Sequence, residues 1–459
     1  EYEYLPYLLF PWAPAQREQT LELLEEYLRS GVMPTLPEFA PDATKIRAFV
    51  EGICAVDAVV ISGGGNLNSR YGWLLYERAA IALVAEYRKI PLFISGQSLG
   101  PVLSNTDTEV LERMLRSAVA VAVRERGSYA WCTERGIEAL AGADDATNYA
   151  PHSPELTLEY PESVAVPELP QRYVCVTIND ADDEQAQNLA ELLEYTYQEH
   201  GLSTVFLSHM GNPAQAAVAG ERGDYEVHAR IAEQMHTPAT LAPITHADAA
   251  VRIHRGAALT LTSRYHPAVF GLAVGVPVVA LVPDAFTEMR LTGVMKHYGV
   301  GEFITPLEML GTAIPSLLLD AAVQLNDPEL GATFTELQAP RRAEVLGALA
   351  EWRQYVWERI SGNDEAREPQ NLPKVHQVEA LNEPLRGVNR AARRLLRRTS
   401  LEAGNEWALS DRMHSWEDAR RHEIEGKDRE IAGLRERAEA AERKLAEYQG
   451  SLLKRILRR

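Results

Sequence analysis

The chain has 459 residues, of which 46% are hydrophobic and 24% charged, with a formal net charge of −19. That length accommodates two or three domains, each able to bury its own core, and the composition is ordinary for a globular protein. The acidic excess excludes non-specific nucleic-acid binding by the main body, and no apolar run reaches the roughly 18 residues of a membrane span. Cys54, Cys132 and Cys175 form neither a disulfide framework nor a metal-ligand spacing, which fits a reducing, cytoplasmic compartment. The sequence opens on Glu1 rather than Met, so we expect an N-terminal element to be missing.

Residues 7–12 read as a strand, being too short and lacking the basic region of a leader peptide. From there to about residue 340 strand and helix patterns alternate, which favours βαβ units and a parallel sheet. Residues 57–62 predict a buried strand and 71–88 a helix with Leu74, Leu75, Ala79, Ile81 and Ala82 toward the sheet. A strand over 91–95 follows, then a helix over 107–117 and a strand over 119–123. Ser128 is the expected N-cap of a helix ending near Gly136. Residues 150–171 carry several prolines and no period, and read as a linker.

A second set of units follows, with strands over 173–178, 204–208, 257–262 and 276–282. Helices are expected over 183–200, near 225–235, over 248–255, and from Pro267 to Gly275. The expected architecture is two Rossmann-like lobes facing a cleft, over residues 1–160 and 161–345. A helix (341–360) and polar linker fill 346–385, and 386–459 is a basic helical tail. Ile424, Ile431, Ala438, Leu445 and Leu452 share one heptad seam with Leu434, Ala441 and Tyr448 on the other, which predicts a coiled coil and a homo-oligomer. The tail carries about +6 against about −25 for the rest of the chain.

Two strand-to-helix turns hold the candidate chemistry. Val59-Val60-Ile61-Ser62-Gly63-Gly64-Gly65-Asn66 brings backbone amides to a predicted helix N-terminus, where phosphate or carboxylate is favoured; a purely structural glycine turn is the alternative. Leu259-Thr260-Leu261-Thr262-Ser263-Arg264-Tyr265-His266-Pro267 places a guanidinium and an imidazole two residues apart at the carboxyl edge of the sheet. Arginine grips carboxylate or phosphate at two points, and histidine exchanges protons near neutral pH. The alternative is a surface arginine beside a helix-capping histidine. Arg124, after the strand at 119–123, either meets an anionic substrate or forms a salt bridge to Glu125 or Asp144. His209 either faces the cleft or caps the next turn. His152, His228, His236, His246 and His254 share no strand end or metal spacing, so no metal is indicated.

Taken together the sequence resembles the polysaccharide pyruvyl transferases over most of residues 55–300. The resemblance rests on Asp57–Gly65, on Gly96-Gln97-Ser98-Leu99-Gly100-Pro101, on Val123-Arg124-Glu125-Arg126-Gly127-Ser128, and on Ser263-Arg264-Tyr265-His266 followed by Gly275-Val276-Pro277. It implies a GT-B-like fold and transfer of a pyruvyl group from phosphoenolpyruvate to two hydroxyls of a sugar, forming a cyclic ketal, with no cofactor. It also implies that Arg264 and His266 bind the donor and catalyse, with Gly63, Gly64, Gly65, Asn66, Gln97, Arg124, His209 and Ser263 as candidate substrate contacts. The chain departs from the family pattern in three places. Nothing before Asp57 matches the usual opening turn. Met289 stands where a basic residue is common, with Arg290 one step on. Gly142-Ala143-Asp144-Asp145 replaces a glycine-aspartate-proline.

Outside that core, the apolar and basic residues 451–459 suit an anionic surface at the inner face of a membrane, or else end a solvated coiled coil. Two other functions share these features: a GT-B glycosyltransferase using a nucleotide sugar, and a catalytically degenerate scaffold of polysaccharide biosynthesis.

Overall fold

The computed structural model describes residues 7–11, 13–149, 167–210, 223–330 and 332–409. The chain divides into two compact units. The first comprises the described residues up to Asp145, then Glu344–Pro373 and those from Leu401; the second comprises those of Ala146–Ala343 and Lys374–Ser400. This division falls before the expected boundary at residue 160, and it splits the stretch 346–385 between the two units. The heptad seam and the basic terminus lie outside the described residues, as does most of the expected linker at 150–171. No helix among the described residues is long and apolar enough to cross a membrane.

The first unit runs α1 (Pro14–Ser30), α2 (Ala43–Cys54), β1 (Val59–Ile61), β2 (Gly64–Leu67), α3 (Gly72–Arg88), β3 (Leu92–Leu99), α4 (Asn105–Ser117), β4 (Ala120–Val123), α5 (Arg126–Glu134) and β5 (Leu140–Ala141). Its strands form one parallel sheet in the order β1-β3-β4-β5, with β2 also on β3. Helix α2 starts where the Asp42 carboxylate accepts from the Thr44 and Lys45 amides, and α4 where Ser104 accepts from Asp107. The core joins Leu24, Phe49, Leu75, Tyr76 and Leu111 with the sheet residues Ile94 and Val123. A second small cluster sets Trp352 and Tyr355 on Ala122, and the Trp352 indole donates to Ser95 at 2.8 Å.

Three expectations are corrected here. The opening segment is not a strand: the amides of Leu8, Leu9 and Phe10 all donate to the buried Glu77 carboxylate, an internal partner that replaces a neighbouring strand. Ser128 is not an N-cap. Glu125 holds that position, and the Ser128 hydroxyl donates to its carboxylate while accepting from the Leu99 amide. The triple-glycine segment does not open a helix. The chain continues from it as β2, with Gly64 opposite Gln97, and Asn68 caps a short 3-10 turn before α3 begins at Gly72.

The second unit runs β6 (Tyr173–Thr177), α6 (Asp183–His200), β7 (Ser203–Leu207), α7 (Asp224–Ala232), β8 (Ala239–Ala242), α8 (Ala247–Gly256), β9 (Leu259–Thr262), α9 (Tyr265–Val274), β10 (Val278–Val282), α10 (Ala285–His297), β11 (Ile304–Pro306) and α11 (Ala313–Gln324). α12 (Phe334–Ile360) begins in this unit, and α13 (Glu383–Leu409) belongs to it as far as Ser400. Six parallel strands pair in the order β11-β10-β9-β6-β7-β8. Their near-continuous apolar runs are those of a sheet covered on both faces. α6 opens on a capping box between Asp182 and Gln185 and ends at Gly201, whose φ of 64° suits a left-handed cap. α9 is buried almost throughout and packs so closely on the sheet that a Cβ on Gly271 would lie 3.1 Å from both Thr260 and Val278. α13 is tied to α10 by Arg393 and Arg397, which both bind the buried Glu288 carboxylate. Burial raises the pKa of Glu288, but the hydrogen bond from Arg397 and the two guanidinium charges prevail and hold it below the usual value.

Gly96, inside β3, has φ +56°, and a Cβ there would lie 3.0 Å from the Asp145 carboxylate. Gly96→Ala is therefore expected to destabilise the first unit by about 2–3 kcal/mol, combining left-handed strain with the clash. Gly136 has a similar φ of +61° with nothing within 4 Å; Gly136→Ala isolates the backbone cost of about 1–2 kcal/mol. Urea unfolding of both variants checks this, and equal losses would remove the argument for the Asp145 contact.

Candidate functional site

In the second unit the strand order reverses between β6 and β9. The chain proceeds from β6 through β7 to β8 on one side, and from β9 through β10 to β11 on the other. Loops leaving the carboxyl ends of these neighbours diverge, and α/β proteins bind ligands at that point. The segment Ser263-Arg264-Tyr265-His266 leaves β9 there. It is fixed by the Ser263 amide donating to Thr177 O at 3.0 Å, and by Thr262 Oγ1 accepting from the Arg264 amide at 2.8 Å. Ser263 was a candidate substrate contact, but its buried hydroxyl is engaged within the protein. It accepts from the Asn179 amide at 2.9 Å and donates to the Asn179 side chain, stapling the end of β6 to that of β9.

Arg264 caps α9 with its backbone and turns its side chain onto Asp224, the first residue of α7. Nε lies 2.8 and 2.9 Å from the two carboxylate oxygens, and Nη2 also donates to Oδ1. Asp224 is fully buried, whereas the Arg264 side chain stays 26% exposed. Nη1 has no hydrogen-bond partner among the described residues. His266 is exposed on the first turn of α9, its ring stacked on Phe270 at 6.0 Å and edge-on to Tyr265 at 5.6 Å. Arg290, which the sequence places one step from the usual basic position, reaches the same turn. Its guanidinium lies 3.8 Å from the Phe286 ring centre and 5.6 Å from that of Tyr265, distances suited to cation–π attraction.

His209, expected near the cleft, is half-buried 6.1 Å from the Phe270 ring, so His209 and His266 flank one phenylalanine. Its Nε2 lies 3.3 Å from Nε2 of His254, whose Nδ1 meets Thr260 Oγ1 at 3.1 Å. His254 and His228 were set aside in the sequence, and the fold gives both a partner at this edge. The Nε2 atom of His228 accepts from the Ile178 amide at 3.0 Å, and its ring stacks on Phe206. Burial is the first cause that lowers the pKa of all three rings. His228 and His254 fall to about 3, and His209, which also faces His254, His266 and Arg264, lies well below the usual value. No group of three His, Cys, Asp or Glu residues able to hold a metal occurs among the described residues.

The other candidates lie in the first unit, where internal carboxylates engage the groups that the sequence offered to a ligand. Arg124 is 2% exposed. It donates from Nε to Ser98 at 2.7 Å and pairs with Asp144 through Nη1, which is the salt-bridge alternative. The Gly63 amide does not point at a ligand: it donates to Asp145 at 3.0 Å, and Ser95 donates to the same carboxylate at 2.8 Å. Burial raises the Asp145 pKa against these two hydrogen bonds. Gly64, Gly65 and Asn66 lie in β2, half-buried. Gln97 donates to Ser62 O at 2.6 Å and keeps a buried Oε1 without a hydrogen bond. The sequence carried no sign of Asp145 or Asp224 as organisers, because their partners lie 82 and 40 residues away.

The buried imidazoles make stability depend on pH. A ring whose folded pKa is about 3 against 6.5 when unfolded contributes stability that is fully present above pH 6.5 and lost as pH falls through that window. Between pH 6.5 and 5 we expect stability to fall by about 1 kcal/mol per pH unit for each such ring, approaching a limiting slope of about 1.4 at the acid end. Urea midpoints across this range check the slope, which His254→Gln should make shallower; a flat wild-type profile would contradict the assignment.

A sequence model of the polysaccharide pyruvyl transferases matches residues 10–284. The amylovoran biosynthesis protein AmsJ of Erwinia amylovora is 22% identical over 282 residues, a match spanning 58% of this chain and 65% of that protein, just short of two thirds of its length. Among solved structures, S. aureus MnaA with UDP is 10% identical with a TM-score of 0.46, covering 78% of this chain and 82% of its own. The UDP-GlcNAc 2-epimerase of Neisseria meningitidis bound to UDP-GlcNAc is 12% identical with a TM-score of 0.42, covering 69% and 82%. The segment matched by the family takes in the glycine turn, the Arg264–His266 turn and more than half of the sequence, and the chain therefore belongs to the polysaccharide pyruvyl transferase family.

Proposed function

We propose that this protein transfers the pyruvyl group of phosphoenolpyruvate to two hydroxyls of a sugar in a cell-surface polysaccharide or its precursor, forming a pyruvate ketal. The observation that carries the proposal is the pairing of Arg264 with His266 where the strand order reverses, in a chain of this family. The relative named for amylovoran biosynthesis supports a polysaccharide setting.

The residue types suit the reaction. Phosphoenolpyruvate carries a carboxylate and a phosphate. The open Nη1 of Arg264 offers an N–H donor to one of these groups. His266, exposed and able to exchange protons with water, gives a proton to the vinyl carbon, which becomes the methyl group. The adjacent carbon then accepts a sugar hydroxyl, releases phosphate by cleavage of its C–O bond, and accepts the second hydroxyl to close the ring. Two hydroxyl protons are released. One balances the proton delivered to carbon and the other leaves with phosphate. The scheme uses the donor as substrate and calls on no cofactor.

Incubation with phosphoenolpyruvate and candidate oligosaccharides should give free phosphate and the pyruvyl mass increment on sugar. His266→Ala is expected to lower kcat by about 10²–10⁴-fold, the usual worth of a positioned acid. Arg264→Ala is expected to raise the donor KM by at least about tenfold, the loss of a charge-assisted contact. Wild-type turnover in both variants, or nucleotide release from a nucleotide sugar in place of phosphate release, would overturn the proposal.

A further inference from the structure

Asp224 opens α7 directly after its N-cap, Gly223, and is fully buried. Besides Arg264, its Oδ2 accepts from the amides of His209 and Met210, both at 2.9 Å and both just beyond the end of β7. One helical turn later His228 accepts from the Ile178 amide, just beyond the end of β6. The first two turns of α7 are thus bonded to the chain leaving β7, β6 and β9, which are adjacent in the sheet. A buried carboxylate without compensation is costly. Here two amides, the guanidinium and the positive end of the helix all stabilise it. The pairing engages only Nε and Nη2: the Arg264 side chain is 26% exposed, and Nη1 has no hydrogen-bond partner among the described residues.

We propose that Asp224 is the positioning residue of Arg264. It fixes Nε and Nη2 from α7, so that the guanidinium presents a single edge, Nη1, to the anionic donor. The ligand rests on the phosphoenolpyruvate reading; the positioning does not. The pair carries no net charge, so donor recognition at Arg264 depends on the direction of its N–H groups. Asp224→Asn keeps the shape but leaves Arg264 unpaired and free to rotate, and it adds one unit of positive charge to the site.

Two measurements on the full chain test this. Phenylglyoxal labelling of Arg264, followed by peptide mapping with no substrate present, should be about tenfold faster in Asp224→Asn than in wild type, since a charge-assisted pair holding the group is lost. The donor KM should rise by about tenfold or more in Asp224→Asn, with the acceptor KM unchanged, and the rise should vanish in an Arg264→Lys background because the two residues act as one unit. Asp224→Glu, which keeps the charge, should recover part of both effects and serves if the Asn variant does not fold. A lower unfolding midpoint with unchanged labelling rate and unchanged donor KM would reduce Asp224 to a packing role and overturn the proposal. Faster labelling in a protein that releases no phosphate from phosphoenolpyruvate would instead sink the donor assignment and leave the positioning role standing.

Discussion

The pairing of β6 with β9 is the constraint on which the site depends. Val174 to Thr177 lie opposite Leu259 to Thr262 in parallel register, yet the chain leaves the two strands toward opposite edges of the sheet. The two terminal threonines finish that register. Thr262 Oγ1 contacts Thr177 O and receives the Arg264 amide, so the last pair of the ladder also sets the first bond of the turn. Ser263 and Asn179 close the next step. Arg264 and His266 are therefore placed by backbone bonding before any side chain of the site takes part. A shift of β9 against β6 by one residue would turn every side chain of β9 to the other face and move the turn with it.

The first unit uses similar materials to an opposite end. It too carries an arginine after a strand and a glycine-bearing turn, but carboxylates from Gly142-Ala143-Asp144-Asp145 meet both. Asp144 binds Arg124 and Asp145 binds the Gly63 amide. A buried, fully bonded arginine holds its own loop in place and offers little to a ligand, since withdrawing it would strand the carboxylate.

Much of the layout was legible because the central strands β3, β6, β9 and β10 are buried on both faces. The runs at 173–178 and 276–282 are apolar almost without a break, 257–262 interleaves leucine with threonine, and the helices between them carry clear caps or a terminal glycine. β2 was not legible. Gly-Gly-Asn-Leu has no strand propensity of its own and is extended because β3 pairs with it. β5 has two residues and β8 four, too few for a period to register. α1 and α2 precede the first recognisable motif and went unread, although Asp42 and Pro14 mark their starts. The Arg264–His266 turn could be read because its residues are adjacent in sequence. Asp224, Asp145 and the contact between His209 and His254 could not, because each depends on residues brought together only by the strand order.

The histidines show how that order divides labour among identical side chains. His209 and His254 face each other through Nε2 atoms 3.3 Å apart, a geometry that accommodates one proton between the rings. Two protons there would set two N–H groups against each other, with the Arg264 cation nearby. Burial lowers both rings, and for His209 the neighbouring His254, His266 and Arg264 act in the same direction, so both are neutral at physiological pH. Burial, with the Arg264 charge acting the same way, keeps His228 neutral, and its Nε2 accepts a hydrogen bond from the Ile178 amide. Of the four imidazoles in this cluster His266 is exposed, His209 half-buried, and His228 and His254 buried. With those rings neutral, Asp224 balances the Arg264 cation at this edge, and Arg290 brings a second guanidinium beside the turn. Under the phosphoenolpyruvate reading proposed above, recognition of the donor's two acidic groups rests on where these N–H donors point and on one exposed imidazole.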